Sequence, residues 1–462
     1  MVADRRGATE RRLFWFLGAL AMATLAWLGR GMTFWSDEWA IIANRSLTNP
    51  ATWWAPHNEH WSTVPIIVYR ALVETIGLRS YVPYLALVAI LHVLIAWLTY
   101  RAVERAVGPR TALASGAVVL FFGSGFENLY WGFQIGFVGA MLAGLVALEA
   151  IDGEPSPRRA AVVSIALLVG VMTAGVGLFF VVAAGVMLVA EPRWRRWLWV
   201  LAVPTVAYAA WYVLIGRSGI GVFRDPFTAQ SFASIPVFLV RGLEAGLGAA
   251  TGLPILSWGL VVLAAAGSAI ALSRGARPSG RVVALAAAVV TEYVLIAMNR
   301  AGVTLNQVDY PRYTYISGIL MVQFLALTLG PALAAIRARA VAEHDRVRWR
   351  ASLALAAAIL TTVLTSNVAL LVAGRGLLLD RASITRALIS ESIRPDPVPG
   401  ANMERDLVLV PAPVIVRRLV ADYGSPVTDA ILPWAVEPIQ ARHLAEARGR
   451  LVDGPPPIPP DQ

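Results

Sequence analysis

Four clusters of polar residues stand out in a chain whose remaining length is dominated by apolar runs. The first is "FWSDEWA" (34–40), which sets Asp37 and Glu38 side by side between Trp35 and Trp39. A carboxylate within reach of a hydroxyl can take its proton, and a carboxylate also suits the start of a helix. Trp53, Trp54 and Trp61 follow in the same loop. Their rings fit an interface anchor or a surface for apolar sugar faces. The second cluster is "APHNEHW", with His57, Asn58, Glu59 and His60. His57 and His60 can share one helical face and Glu59 can join them, a pattern open to metal binding. Without an evident third firm ligand, polar substrate contact or loop structure is the preferred reading, and no metal is assigned. The third is "GFENLYWGFQIGF" (125–137), where Glu127, Asn128 and Gln134 lie near membrane depth. Polar groups there usually face a cavity or a partner. Gly132 and Gly136 also have the spacing of close helix packing. The fourth is "NQVDYPRYTYI" (306–316), in which Arg312 and Tyr313 end an apolar run. This pair can anchor a helix at the interface, and an arginine fork also matches phosphate oxygens.

These clusters need elements to hold them. The chain has 462 residues, 57% hydrophobic and 15% charged, against about a quarter charged in soluble domains. A single polytopic membrane protein accounts for this better than several soluble domains. There is no cysteine, which excludes disulfides and thiolate chemistry. All 39 basic residues are arginine, a usage that fits a bacterial GC-rich genome. The net charge of +10 would suggest nucleic acid in a soluble chain. Here it is loop charge of a membrane protein, so no nucleic-acid partner is expected.

Apolar segments near 13–31, 81–100, 111–123, 132–150, 160–173, 177–190, 197–215, 254–272, 282–298, 315–335 and 351–373 predict an all-α protein of about 11 crossings. Arg5, Arg6, Arg11 and Arg12 hold the N-terminus in the cytoplasm, and a cleavable signal peptide is the rival reading. The N-terminus and even-numbered loops then carry 20 arginines, the outer loops 9 and the tail 10. This asymmetry places all four clusters on the extracytoplasmic side and the C-terminus outside. The run 160–190 is too long for one crossing, and two short helices broken at "TAGVG" (173–177) keep the sidedness. Residues 232–253, which carry Arg241 and Glu244, read as an outer interfacial or re-entrant helix. Residues 1–374 form the transmembrane domain. Residues 375–462 form a short extracytoplasmic region with a helical piece at 380–394 and a disordered Pro-rich end.

"SDEWAI", "GFENLYWGFQIGF" and "YPRYTYI" in this order resemble the GT-C superfamily of membrane glycosyltransferases. They look most like uncharacterised actinobacterial members, and distantly like protein O-mannosyltransferases and lipid A aminoarabinose transferases. The resemblance covers roughly 10–373. It implies a GT-C-like fold in the bacterial cytoplasmic membrane. The implied activity transfers a sugar from a polyprenyl-phosphate donor to a hydroxyl of a glycan, lipid or protein acceptor outside the cytoplasm, usually with inversion. It implies that Asp37 is the catalytic first-loop acid, with Glu38 as its neighbour, and that Arg312 lies near the lipid phosphate. No cofactor is firmly implied. His57, Asn58, Glu59, His60, Glu127, Asn128, Gln134 and Tyr313 are proposed as substrate contacts on position and polarity. The alternative is a transporter or flippase of lipid-linked glycans. Such a protein should carry charges inside its helices at the midplane.

Overall fold

The computed structural model describes residues 2–218, 228–273, 275, 277–300, 305–342, 346–393, 410, 411 and 413–427. Its helices in chain order are α1 (Val2–Leu28), α2 (Asp37–Asn44), α3 (Ala51–Trp54), α4 (Thr63–Ile76), α5 (Val82–Ala106), α6 (Pro109–Leu120), α7 (Phe126–Tyr130), α8 (Ile135–Ile151) and α9 (Pro157–Val171). They continue with α10 (Val176–Ala190), α11 (Ala202–Leu214), α12 (Ala229–Thr251), α13 (Ser257–Ser273), α14 (Gly280–Arg300), α15 (Pro311–Ala342), α16 (Arg346–Ser392) and α17 (Pro413–Tyr423). Short 3₁₀ turns link several of them. The protein is an all-α polytopic membrane protein. Among the described residues nine helices are long and apolar enough to cross a bilayer, with two shorter apolar helices at Val176–Ala190 and Pro254–Ala269. Phe16, Trp27, Val206, Val262 and Ile359 stand more than half exposed. In water such a surface would be a liability, whereas in a bilayer it meets lipid tails.

The run 160–190 is the expected pair of short helices, broken between Val171 and Val176. Only glycine fits at 177, because a Cβ there would enter the Gly170 backbone. The break also receives the chain from the first loop, since Val64 N–H donates to the Met172 carbonyl at 3.1 Å. An interruption in a helical hairpin thus becomes a dock for loop one.

Residues 232–253 lie within α12, itself long enough to cross. Its charges sit beside the loop that precedes α15, where Arg241 pairs with Glu244 (3.1 Å) and Asp309 (3.8 Å). Further along, Gly246 packs against Ser317 and Gly252 against Asn367. Ser124 Oγ donates to the Ala249 carbonyl (3.1 Å) and Thr314 Oγ1 to the Ser124 carbonyl (3.2 Å), so the second half of α12 stays at the level of the start of α15, as an outer helix does. The piece expected at 380–394 is the continuation of α16, whose helix runs unbroken from Arg346 to Ser392, across position 374. The Pro-rich end lies outside the described residues.

The end away from loop one is tied by ion pairs. Glu149 pairs with Arg101 (3.1 Å) and Arg105 (2.6 Å), and Asp152 with Arg105 (2.7 Å) and Arg281 (2.5 Å). Arg101 and Arg105 lie in the last turns of α5 and Arg281 at the start of α14, among the arginines counted as cytoplasmic. At the loop-one end, arginines of α16 close the end of α1. Arg375 donates to the Leu28 carbonyl (2.8 Å) and Arg386 to the Met32 carbonyl (3.1 Å). They satisfy carbonyls that a helix terminus and the chain just beyond it leave open.

Candidate functional site

Loop one builds the site from its own backbone. Ser36 has φ +56°, a left-handed turn that reverses the chain just before α2 and places Asp37 and Glu38 at its first positions. Successive helix residues point about 100° apart, so the two carboxylates face different surroundings. Glu38 is fully buried. Its Oε1 accepts from the hydroxyls of Tyr69 and Tyr81 (2.7 Å for Tyr81), and its Oε2 accepts from the Trp35 N–H at 2.9 Å. The Tyr81 oxygen in turn accepts from the Gly132 N–H at 2.7 Å. Glu38 thus ties loop one to the start of α5 and to the turn before α8. Asp37 instead keeps a side chain 30% exposed.

Burial pushes the Glu38 carboxyl up to about 8, against the opposing pull of the hydrogen-bond donors around it. An unfolded Glu releases its proton near 4.5. Between these values the folded chain holds a proton that the unfolded chain does not, so stability falls as pH rises from about 4.5 to 8 and levels off above. The change is on the order of a few kcal/mol. Glu38→Gln is expected to flatten the apparent melting temperature across this window. An unchanged slope in the variant would remove Glu38 as its source.

His57 and His60 do not share a helical face. They face each other across a tight turn, with His57 N–H donating to the His60 carbonyl (3.1 Å) and His60 N–H to the His57 carbonyl (3.0 Å). Asn58 takes φ +52° at the turn, a conformation asparagine tolerates. Arg45 fixes the approach to this turn, donating to the carbonyls of Thr52 (2.9 Å) and Pro56 (2.7 Å). The result places His57 Nε2 3.3 Å from Asp37 Oδ1, without hydrogen-bond alignment. His60 points to the other side, where its Nε2 is 3.8 Å from Glu59 Oε1. Glu59 also binds Arg300 at the end of α14. Burial pushes the Glu59 carboxyl up, but His60 and Arg300 outweigh it and hold the group below its ordinary value. Burial drives the His60 imidazole down despite Glu59. Among the described residues no group of three or more His, Cys, Asp or Glu side chains is arranged to hold a metal ion.

Arg312 opens α15. Its guanidinium lies 5.2 Å from the Tyr310 ring and 5.4 Å from the Tyr313 ring, and Nη1 is 3.6 Å from Glu127 Oε1. Its Nε has no partner. Asp37, Glu127 and Arg312 are close enough to act on one another's charge, and Asp37 also acts on His60. The structure thus gathers Asp37, His57, Glu59, His60, Glu127, Arg312 and Tyr313 at one end of the bundle, from segments almost 280 residues apart. Asn128 and Gln134 are buried and meet each other, Asn128 Nδ2 to Gln134 Oε1 at 3.4 Å. They brace the turn between α7 and α8.

Several residues here escape sequence reasoning. Arg300 engages Glu59 and the Tyr313 hydroxyl. Arg381 of α16 lies 5.1 Å over the Trp35 ring and its charge reaches Glu127. Tyr69 and Tyr81 hold Glu38. Of the five loop-one tryptophans, Trp35, Trp39 and Trp61 are buried and packed, Trp35 stacked on Trp131 at 4.2 Å and Trp61 on Trp211 at 5.4 Å. Trp54 is 40% exposed. A cavity of about 260 Å³ adjoins the cluster, lined by Glu59, His60, Phe137, Tyr208, Tyr212, Glu292, Asn299, Arg300 and Tyr313 among others. A second, almost wholly apolar cavity of about 370 Å³ lies between α4, α5, α8 and α9, lined by Val68, Leu91, Leu142 and Val169 among others.

No protein-family model matches the chain, and no curated protein matches it. Among solved structures it is similar to the crystal structure of the oligosaccharyltransferase of Archaeoglobus fulgidus in complex with Zn and sulfate. The identity is 14% and the TM-score 0.45, over 92% of this chain and 61% of that one. The chain therefore spans about three fifths of that protein's length.

Proposed function

We propose that the protein is a GT-C-type glycosyltransferase that moves a sugar from a polyprenyl-phosphate donor to an acceptor hydroxyl on the extracytoplasmic face, with inversion. The observation that carries the reading is the pairing of a reachable carboxylate with an arginine in one electrostatic cluster. Glu38 is sealed, Glu59 is bound to Arg300, and Glu127 stands against Arg312. Asp37 is the site carboxylate left with an exposed edge, and its Oδ1 faces His57 Nε2 at 3.3 Å.

In this reading Asp37 accepts the proton of the acceptor hydroxyl as its oxygen attacks the anomeric carbon. The bond from that carbon to the phosphate oxygen breaks, and the lipid phosphate leaves with the electron pair. Negative charge grows on the leaving phosphate, so the Arg312 fork stabilises the transition state more than the ground state. His57 orients the Asp37 carboxylate. The arginine excess of the opposite end supports the side assignment.

One observation favours the transport reading. Glu292 is a fully buried acid within the span of α14. A single reconstitution separates the two readings. Purified protein in nanodiscs, given undecaprenyl-phosphate hexoses and cell-envelope extract, is expected to release free undecaprenyl phosphate and glycosylate material in the extract. Scrambling of the intact donor across proteoliposomes, with no release of lipid phosphate, would assign transport instead.

A further inference from the structure

The cavity beside the cluster is lined in part by Glu292, whose buried carboxyl nothing in the protein satisfies. α14 lines it with Glu292, Leu295, Ile296, Asn299 and Arg300, spaced as one face of a helix. Arg300, at the end of this face, is committed to Glu59 and Tyr313. Glu292 lies eight residues deeper, about 12 Å along the axis. It is fully buried, and neither carboxyl oxygen has a hydrogen-bond partner. Its neighbour Tyr293 is bound to Ser317 Oγ at 2.8 Å and does not serve it.

A buried acid with both oxygens unsatisfied costs stability with no return to the fold, and more so when it is charged. Packing alone would be better served by leucine. A group of this kind in a cavity wall is accounted for when a ligand completes it. The rest of the cavity narrows the ligand. Tyr208, Tyr212 and Tyr313 bring flat rings with polar edges. The volume of about 260 Å³ falls below the roughly 300–1,000 Å³ of pockets for drug-sized ligands, which suits one ring and not a chain of them.

We propose that this cavity holds a single glycosyl ring and that Glu292 determines which ring by hydrogen-bonding one of its hydroxyls. The inference rests on the glycosyltransferase reading above and adds to it the residue that selects the sugar. A hydroxyl both donates and accepts, so one ring position completes a carboxyl that the empty protein leaves open. An epimer that turns that hydroxyl away leaves it unpaired again, which is how a polar site rejects a close analogue.

The test compares binding of undecaprenyl phosphate with binding of a series of undecaprenyl-phosphate hexose epimers to the full-length protein in nanodiscs. Wild type is expected to bind one or more hexose lipids at least about tenfold tighter than bare undecaprenyl phosphate. Glu292→Leu should erase this preference, leave bare-lipid affinity in place, and hold or raise the apparent melting temperature. If the ring belongs to the acceptor, the Glu292-dependent preference appears instead with methyl hexosides added over bound undecaprenyl phosphate. Should Glu292→Leu not fold, Glu292→Gln carries the test, since it keeps the shape and should reorder the epimers. A preference kept unchanged in the variant that is tested, or an equal loss for bare and glycosylated lipid, overturns the assignment of Glu292 while leaving the glycosyltransferase reading intact. Failure of wild type to bind any of these lipids overturns both.

Discussion

Asp37→Asn is expected to lower sugar transfer by about a thousandfold while the protein stays folded and still binds its lipid donor. The amide keeps the size of the side chain and can still face His57, but it cannot accept a proton at neutral pH. The Asp37 side chain is 30% exposed, and its 3.3 Å contact with His57 is not an aligned hydrogen bond. The substitution therefore leaves no buried group newly unpaired, and thermal stability should change little. Release of undecaprenyl phosphate from a hexose-bearing donor, under single-turnover conditions, is the measurement. Wild-type turnover by this variant would eliminate Asp37 as the base. If Asp37→Asn lost only donor binding, its role would be electrostatic placement of the sugar instead.

Arg312→Ala is expected to lower transfer by about a hundredfold or more, with the donor parameters bearing most of the loss. An arginine that neutralises the leaving phosphate acts on the donor in the transition state, so kcat should fall and the acceptor KM should hardly move. Truncation also leaves Glu127 without its cation, 3.6 Å away in the wild type. The double variant Arg312→Ala/Glu127→Gln separates this side effect from the catalytic one. If the loss persists in the double variant, it belongs to the missing guanidinium. If activity returns, Arg312 serves only to balance Glu127. Arg312→Lys restores charge without the planar fork and is expected to recover part of the rate. An equal effect on donor and acceptor parameters would reassign Arg312 to a structural role at the start of α15.

The elements were largely legible because membrane helices announce themselves one by one. Each needs its own apolar run, and each run can be read without knowing its neighbours. The break at "TAGVG" followed from length and arginine placement, and the helices do end at Val171 and resume at Val176. The outer helix expected at 232–253 was legible from its charges. Arg241 and Glu244 argue against a crossing when read locally, and both parts of α12 stay near the start of α15, where Arg241 pairs with Asp309 and the Ala249 carbonyl accepts from Ser124. The 380–394 piece was separable from α16 only because hydropathy falls there, whereas the backbone hydrogen bonds of the helix continue regardless of polarity.

The site was legible to the extent that polar residues in an apolar chain are conspicuous. By itself the sequence determined the membrane class, the short-helix hairpin, the arginine asymmetry and four polar clusters, because each depends only on residue type and spacing along the chain. Tertiary structure alone decided what each group faces. It sealed Glu38 between Tyr69 and Tyr81 and left its neighbour Asp37 with an exposed edge, since adjacent helix positions point in different directions. It turned His57 toward Asp37 and His60 toward Glu59, since a two-residue turn, and not a helix, joins them. It also brought Arg300 and Glu292 to the cavity from a helix that hydropathy reads only as a span, because which face of a helix meets its neighbours is set by packing across the whole bundle.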